Sequence, residues 1–357
     1  MEVSHSNYLH NFSFLAFARF FESMGYYAMR AVLVLYLTDV ENGAGVDQEN
    51  AFELYATFTT FVILAQLAGG FLSDLILGTA RTLLIGGLCA IVGYLMLAAQ
   101  FDHYLAVGLI AFGSGCFVSS HWGILGQVFN QYKNKLDGAM LLVYFLINFG
   151  ALLSGIVAGY GMNLFSWSGS FMAAFVAQLC GLLCILATYR KLPSCTYSRS
   201  IAFHKQDTPH TSIIWVVAIL ALTVVITLVG DLDQADMIGK TSVQYVYAPI
   251  ATMMLVLLLL GLLFWFWSCA STPKLIVAVA LYLIGYFGSG LAPAAEHQWF
   301  MAYALGYLAI VGLVEALMFP ISMSILLQRT DPRFIATTAA ALSAIPAGIA
   351  GLITWIV

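Results

Sequence analysis

The stretch from Asn11 to Thr38 reads NFSFLAFARFFESMGYYAMRAVLVLYLT. It is long enough to cross a bilayer, which takes about 20 apolar residues in a helix. Yet it carries Arg19, Glu22 and Arg30 in its interior. A charge at membrane depth costs at least ~2.5–3.5 kcal/mol, which makes each one a functional candidate. With spacings of i, i+3, i+7 and i+11, Arg19, Glu22, Tyr26 and Arg30 share one helical face. That face cannot look at lipid, so it looks into a bundle or a wet cavity.

Composition extends this reading to the whole chain. Of 357 residues, 62% are hydrophobic and only 8% charged, against roughly 25% charged in a soluble domain. Only helices and closed barrels span a bilayer. Uninterrupted apolar runs such as Met253–Trp267 lack a barrel's alternation, so the class is an all-α membrane protein. No basic cluster is dense enough for nucleic acid. No cleavable signal peptide is expected, because the segment from Asn11 is too long for one and lacks a Lys or Arg before it. Cysteines at 89, 116, 180, 184, 195 and 269 read as small packing residues. Cys180 and Cys184 share a face but are too few for a metal site. No cofactor, metal or enzymatic nucleophile–base pair is expected.

Eleven spanning helices are expected, at about 11–38, 51–76, 81–99, 104–130, 138–162, 168–190, 212–230, 244–268, 274–292, 299–327 and 334–357. With a cytoplasmic N-terminus, Arg81, Lys133, Lys135, Arg190, Lys191, Arg199, Lys205, Lys274, Arg329 and Arg333 all fall in cytoplasmic connections, and Lys240 alone falls outside. That asymmetry is the positive-inside signature, and it suits a multi-pass protein of the cell (inner) membrane. The basic segment 191–211 would link a six-helix bundle (1–190) to a five-helix bundle (212–357). Six plus six around such a linker is the plan of the major facilitator superfamily, so the sequence as it stands reads one helix short. Either a twelfth helix is absent or the chain is truncated. Pro249, Pro320, Pro346 and the glycines at 69–70, 86–87 and 285–290 imply close helix packing or hinges. Segment 299–327 is long enough to need a tilt or a kink at Pro320.

Four stretches resemble signatures of the proton-dependent oligopeptide transporter family, a branch of that superfamily. Phe20 to Leu37 is similar to its helix 1 motif, ExxERFxYYG followed by MRAxLVLYL. Gly69-Gly70-Phe71-Leu72-Ser73-Asp74 through Gly78, Arg81 and Thr82 is similar to GGxLADxxLGxxRT. Asp137-Gly138 through Tyr144, Asn148, Gly150 and Ala151 resembles the helix 5 pattern, and Glu315 to Ser324 resembles the helix 10 pattern ELLLSPxGLS.

Departures accompany the resemblance. Arg19 stands where the first motif Glu belongs, and Ser23 where the motif Arg belongs. Because 19 and 23 lie one turn apart on one face, Arg19 is expected to replace the missing guanidinium, leaving Ser23 dispensable. The helix 4 lysine position is Val118, and the nearest ionisable group is His121. The seventh helix has no acid before Asp231, so the family's usual proton wiring is altered.

A zwitterionic peptide needs a cation for its carboxylate and an acid for its ammonium. The resemblance implies Arg30, Tyr26, Tyr27, Tyr144 and Asn148 for the carboxylate end and backbone, and Glu315 for the amino end, with Arg19 added on the argument above. Glu22, His121 and Glu315 are the proton-coupling candidates, and Asp74 with Arg81 reads as a conformational latch. Each has a plainer reading: Glu315 as a structural partner of a helix 1 arginine, the tyrosines as packing or interface residues, Asn148 as interhelical glue, and Asp74 as an ordinary cap. The function implied is alternating-access import of small peptides with protons. The rivals are a carrier of amino acids or organic acids, and a truncated non-transporting membrane protein.

Overall fold

The computed structural model describes residues 5–130, 132–192, 247–266, 274, 276, 318–331 and 334–356. Within these the secondary structure is helical: α1 (His5–Thr38), α2 (Gln48–Phe71) running into a wider π turn (Leu72–Leu77), α3 (Thr79–Ala98), α4 (His103–Val128), α5 (Lys133–Thr188), α6 (Tyr247–Phe266) and α7 (Ile335–Ile356), with a further helical run over 318–329. The expected helices over 212–230, 274–292 and most of 299–327 lie outside the described residues. Four described segments, Gln48–Leu77, Thr79–Ala98, His103–Val128 and Lys133–Lys191, are long and apolar enough to cross a membrane. Three charges within α1 lower its mean hydropathy below theirs.

Each connection is built from local chemistry. Asp39 closes α1: its Oδ1 accepts from the amides of Glu41 and Asn42 at 2.9 and 3.1 Å, and its Oδ2 accepts from Trp167 Nε1 at 2.7 Å. Asp47 caps α2 by accepting from the Asn50 amide at 3.2 Å, one of the donors a helix start leaves unsatisfied. Gly78, at φ 85°, turns the chain into α3, a conformation glycine adopts without strain. α5 covers both expected helices 138–162 and 168–190. Its backbone breaks at Phe165 and Ser166, inside the gap left between them.

Two compact units divide the chain. One comprises Met1–Asn130, Leu146–Thr208 and Thr330–Ala344, and the other Gln131–Phe145, Pro209–Arg329 and Ile345–Val357. In the first, Met29, Leu33, Tyr36, Phe58, Tyr94 and Phe171 are buried in one apolar core. Small residues let the backbones touch: a Cβ on Gly86 of α3 would fall 2.7 Å from the Gly113 carbonyl oxygen of α4. In a bilayer, where lipid is as apolar as leucine, such close packing is a main source of helix association.

Candidate functional site

All the charge in α1 is accounted for within the first unit, in two separate places. Arg19 and Glu22 form an ion pair one turn apart on the same helix, with side chains 12% and 2% exposed. Arg30 lies eleven residues further on, about 16 Å along the axis at 1.5 Å per residue. There its guanidinium donates from Nε and NH2 to the Tyr55 hydroxyl, at 3.0 and 2.7 Å. It also faces the rings of Tyr26, Tyr27 and Tyr55, with centroids at 5.5, 5.9 and 5.4 Å. Partly desolvated cation–π contacts of this kind contribute about 0.5–2 kcal/mol each, so three of them steady a charge that lipid would reject.

The tyrosines are themselves braced. Tyr26 meets Tyr27 edge-on at 5.4 Å and lies 6.0 Å from buried Phe58, and Tyr55 lies 6.4 Å from the same ring. Tyr55 and Phe58, at i and i+3 on α2, form the facing wall. The helix 1 motif did not bring Tyr55 forward; an aromatic pair three residues apart on the next helix was its only signal.

α1 meets α5 along a seam near Asn148. The Ser23 hydroxyl donates to the Ile147 carbonyl at 2.7 Å, Phe20 stacks on Phe149 at 5.8 Å, and a Cβ on Gly150 would fall 2.6 Å from the Phe20 carbonyl oxygen. Half-buried Asn148 sits between two residues that grip α1. Ser23 is therefore a buried strut between α1 and α5. Arg19 is committed to Glu22.

His121 is buried, and its Nε2 bonds the Leu15 carbonyl at 3.0 Å, so that nitrogen carries the hydrogen. The ring lies between Phe117 and Trp122, and its Nδ1 has no hydrogen-bond partner among the described residues. A second N–H there would be a buried donor without an acceptor, which is costly. The placement suits a strut from α4 to α1 better than a relay.

Asp74 accepts from the amides of Ala336 and Thr337 at 3.3 and 2.7 Å, two of the open donors at the start of α7. A Cβ on Gly70, one turn earlier, would fall 2.8 Å from Thr337 Cα. One turn earlier again, Gln66 Oε1 accepts from the Ser343 hydroxyl at 2.8 Å. Arg81 is exposed; the acid holds a helix terminus rather than that arginine. Tyr144 belongs to the second unit, against Phe319 at 5.5 Å. Glu315 lies outside the described residues.

With this geometry in view, comparison with known proteins identifies the class. Residues 15–354 match the Major Facilitator Superfamily, and the chain belongs to that superfamily of membrane transporters. Among its relatives, it is 32% identical over 164 residues to dipeptide and tripeptide permease A of Chromobacterium violaceum, covering 45% of this chain and 32% of that protein. It is 31% identical over 180 residues to dipeptide and tripeptide permease B of Photorhabdus luminescens, covering 49% and 35%. The matched stretches thus span about a third of these relatives' length. The fold is similar to that of a bacterial homologue of the human drug peptide transporters, with a TM-score of 0.60 at 18% identity over 96% of this chain and 89% of that one. It is also similar to a transporter of the POT peptide-transporter family in complex with 5-aminolevulinic acid, with a TM-score of 0.56 at 18% identity over 97% and 91%.

Proposed function

We propose that the protein is a secondary active transporter that imports di- and tripeptides across the inner membrane by alternating access, with its N-terminus in the cytoplasm. The observation carrying this reading is the Arg30 cage. A planar cation that no carboxylate of the described residues neutralises is held by three tyrosines, so it is available to a substrate carboxylate. Arginine suits this task because its fork binds a carboxylate bidentately. Tyr26, Tyr27 and Tyr55 shape the pocket, Asn148 and Tyr144 reach the peptide backbone, and Glu315 receives the ammonium. Ten of the eleven Lys and Arg residues outside α1 lie in the connections expected to be cytoplasmic, and this supports the orientation.

Protons drive uptake in this reading with Glu315 as the carboxylate that carries them, since Glu22 is held by Arg19 and His121 by the Leu15 carbonyl. The test is uptake of labelled di-alanine into proteoliposomes under an imposed pH gradient, inside alkaline. Accumulation above the level of empty liposomes is expected, and its absence overturns the reading. Uptake indifferent to the gradient removes coupling and leaves facilitated transport.

A second reading, a carrier of smaller zwitterions, has one specific support: a transporter of similar fold is known in complex with 5-aminolevulinic acid. That ligand carries an amine and a carboxylate without a peptide bond. Competition of di-alanine uptake by 5-aminolevulinic acid against competition by tri-alanine separates the two.

A further inference from the structure

Within the second unit, the first turns of α5 lie against the last turns of α6, and the seam ends in a cation beside an indole. On α5, Lys135, Gly138 and Leu142 follow i, i+3 and i+7 spacing and so share one face. A Cβ on Gly138 would fall 2.5 Å from the Trp265 backbone nitrogen, and one on Gly261 would fall 2.9 Å from Leu142 Cδ2. That close approach carries Lys135 Nζ to 5.5 Å from the centroid of the Trp265 ring. Away from the seam, α6 presents Leu259, Leu262, Leu263 and Phe266, all exposed, Phe266 by 83%. Their i, i+3, i+4, i+7 spacing makes a single apolar stripe about 10 Å long, at 1.5 Å per residue. On the other side of the α5 start, exposed Lys133 donates to the Gln328 carbonyl at 3.2 Å. The acid in the next turn, Asp137, is buried against Lys274 at 2.5 Å. No carboxylate of the described residues pairs with Lys133.

We propose that Lys135, Trp265 and Lys133 form a binding site for the headgroup of an anionic phospholipid whose acyl chains lie along the α6 stripe. The chain belongs to a superfamily of membrane transporters, so exposed apolar side chains on one face of α6 meet lipid tails. A stripe of about 10 Å covers roughly two-thirds of one leaflet, since the whole hydrocarbon core is about 30 Å thick. It runs to the last residue of α6, Phe266, beside Trp265. Indole rings favour the headgroup boundary, where the ring stays apolar and its N–H reaches water. Lys135 is held over that ring, at the depth where a lipid carries its phosphate. Lys133 flanks the site from the far side of the α5 start. An ammonium has three donors, so its bond to the Gln328 carbonyl leaves two for phosphate oxygens. Between the two lysines, the open amides of the helix start add the positive end of the α5 dipole. A soluble phosphate would find the same cations, but screened by salt and without the stripe, which only a lipid covers. In the orientation put forward above this is the cytoplasmic leaflet; the site itself does not depend on that assignment.

In the test, the full-length chain in detergent is titrated with phosphatidylglycerol and, separately, with phosphatidylcholine of the same acyl chains, which has a phosphate but no net charge. Bound lipid is counted by native mass spectrometry. The unaltered protein should bind one phosphatidylglycerol about tenfold more tightly than phosphatidylcholine. Lys135→Gln and Lys133→Gln should each weaken phosphatidylglycerol about fivefold, the effect of one lysine near an anionic surface. The double variant should lose more than about tenfold, with phosphatidylcholine binding nearly unchanged. Arg190→Gln, in the first unit, should alter neither lipid, which separates a site from general attraction to positive charge. Equal affinities for the two lipids, or unweakened phosphatidylglycerol binding in the double variant, overturn the proposal. So does displacement of phosphatidylglycerol by millimolar inorganic phosphate, which would make this a site for soluble anions. That last measurement uses the unaltered protein, so it decides even if a lysine variant does not fold. Binding in detergent involves neither membrane sides nor transport. A protein that binds as expected but accumulates no di-alanine therefore counts against the transport reading alone.

Discussion

Arg30 donates two hydrogen bonds to a single acceptor, the hydroxyl of Tyr55, from Nε at 3.0 Å and NH2 at 2.7 Å. One phenol on α2 thus fixes the orientation of the guanidinium on α1. Hydrogen bonds to charged groups are worth about 1.5–3 kcal/mol each. Tyr55→Phe keeps the ring and its cation–π contact but lets the fork turn. The apparent KM for di-alanine uptake should rise roughly tenfold with a smaller change in maximal rate, while Arg30→Lys, which removes the fork itself, should cost more. Concentration series of uptake in proteoliposomes measure both, and an unchanged KM in Tyr55→Phe would remove Tyr55 from the site.

The Arg19–Glu22 pair predicts non-additive stability. Removing one partner of a buried pair costs about 3–5 kcal/mol, whereas removing both is much milder. Arg19→Gln and Glu22→Gln should each lower the thermal midpoint in detergent by several degrees. The double variant should recover most of that loss. Ser23→Ala should destabilise by about 1 kcal/mol, the worth of its bond to the Ile147 carbonyl. A double variant whose loss equals the sum of the two single losses would mean that the two ions act separately.

At the start of α7, Asp74→Ala would strand the Ala336 and Thr337 amides. Buried donors left unpaired cost about 1–3 kcal/mol apiece. Asp74→Asn keeps one acceptor oxygen and should lose about half as much. Gly70→Val should be worse than either, since the Thr337 backbone lies within 2.8 Å of the new Cβ. Thermal unfolding in detergent ranks the three.

Trp167 and the amides of Asn42 and Glu41 hold the Asp39 carboxyl below its ordinary range, with the indole hydrogen bond the largest cause. A depressed carboxyl pKa contributes stability that is fully present above its unfolded value, near ~3.9, and is lost as pH falls through the lower folded value. Trp167→Phe removes the largest cause. The difference in thermal midpoint between wild type and variant should stay constant from about pH 8 to about pH 5 and shrink below about pH 4. A difference that persists undiminished at acid pH would assign it to packing alone.

Much of the first unit was legible because its signals are local. Apolar runs fixed α3 and α4 to within two residues, and the i, i+3, i+7, i+11 spacing put Tyr26 and Arg30 together on one face of α1. What the sequence did not reveal lies on other elements. Tyr55 has no motif that ties it to Arg30, 25 residues away. Asp74 was matched to Arg81, seven residues along, but its partners are backbone amides more than 260 residues away, and a backbone donor has no sequence signature. Asp137 was noted only as part of a helix 5 pattern, and its buried ion-pair partner, Lys274, lies 137 residues away. Ser23 looked dispensable because only its missing charge was weighed, not the hydroxyl that bonds the Ile147 carbonyl.

The Arg19–Glu22 pair also has an electrical consequence. Moving one elementary charge across the membrane potential involves about 2.3 kcal/mol per 100 mV. The pair is neutral and moves with α1 as a rigid dipole, so the membrane voltage does almost no net work on it. Current recorded during turnover should therefore report the charge on Arg30, the substrate and any carried proton, with α1's other two ions electrically silent.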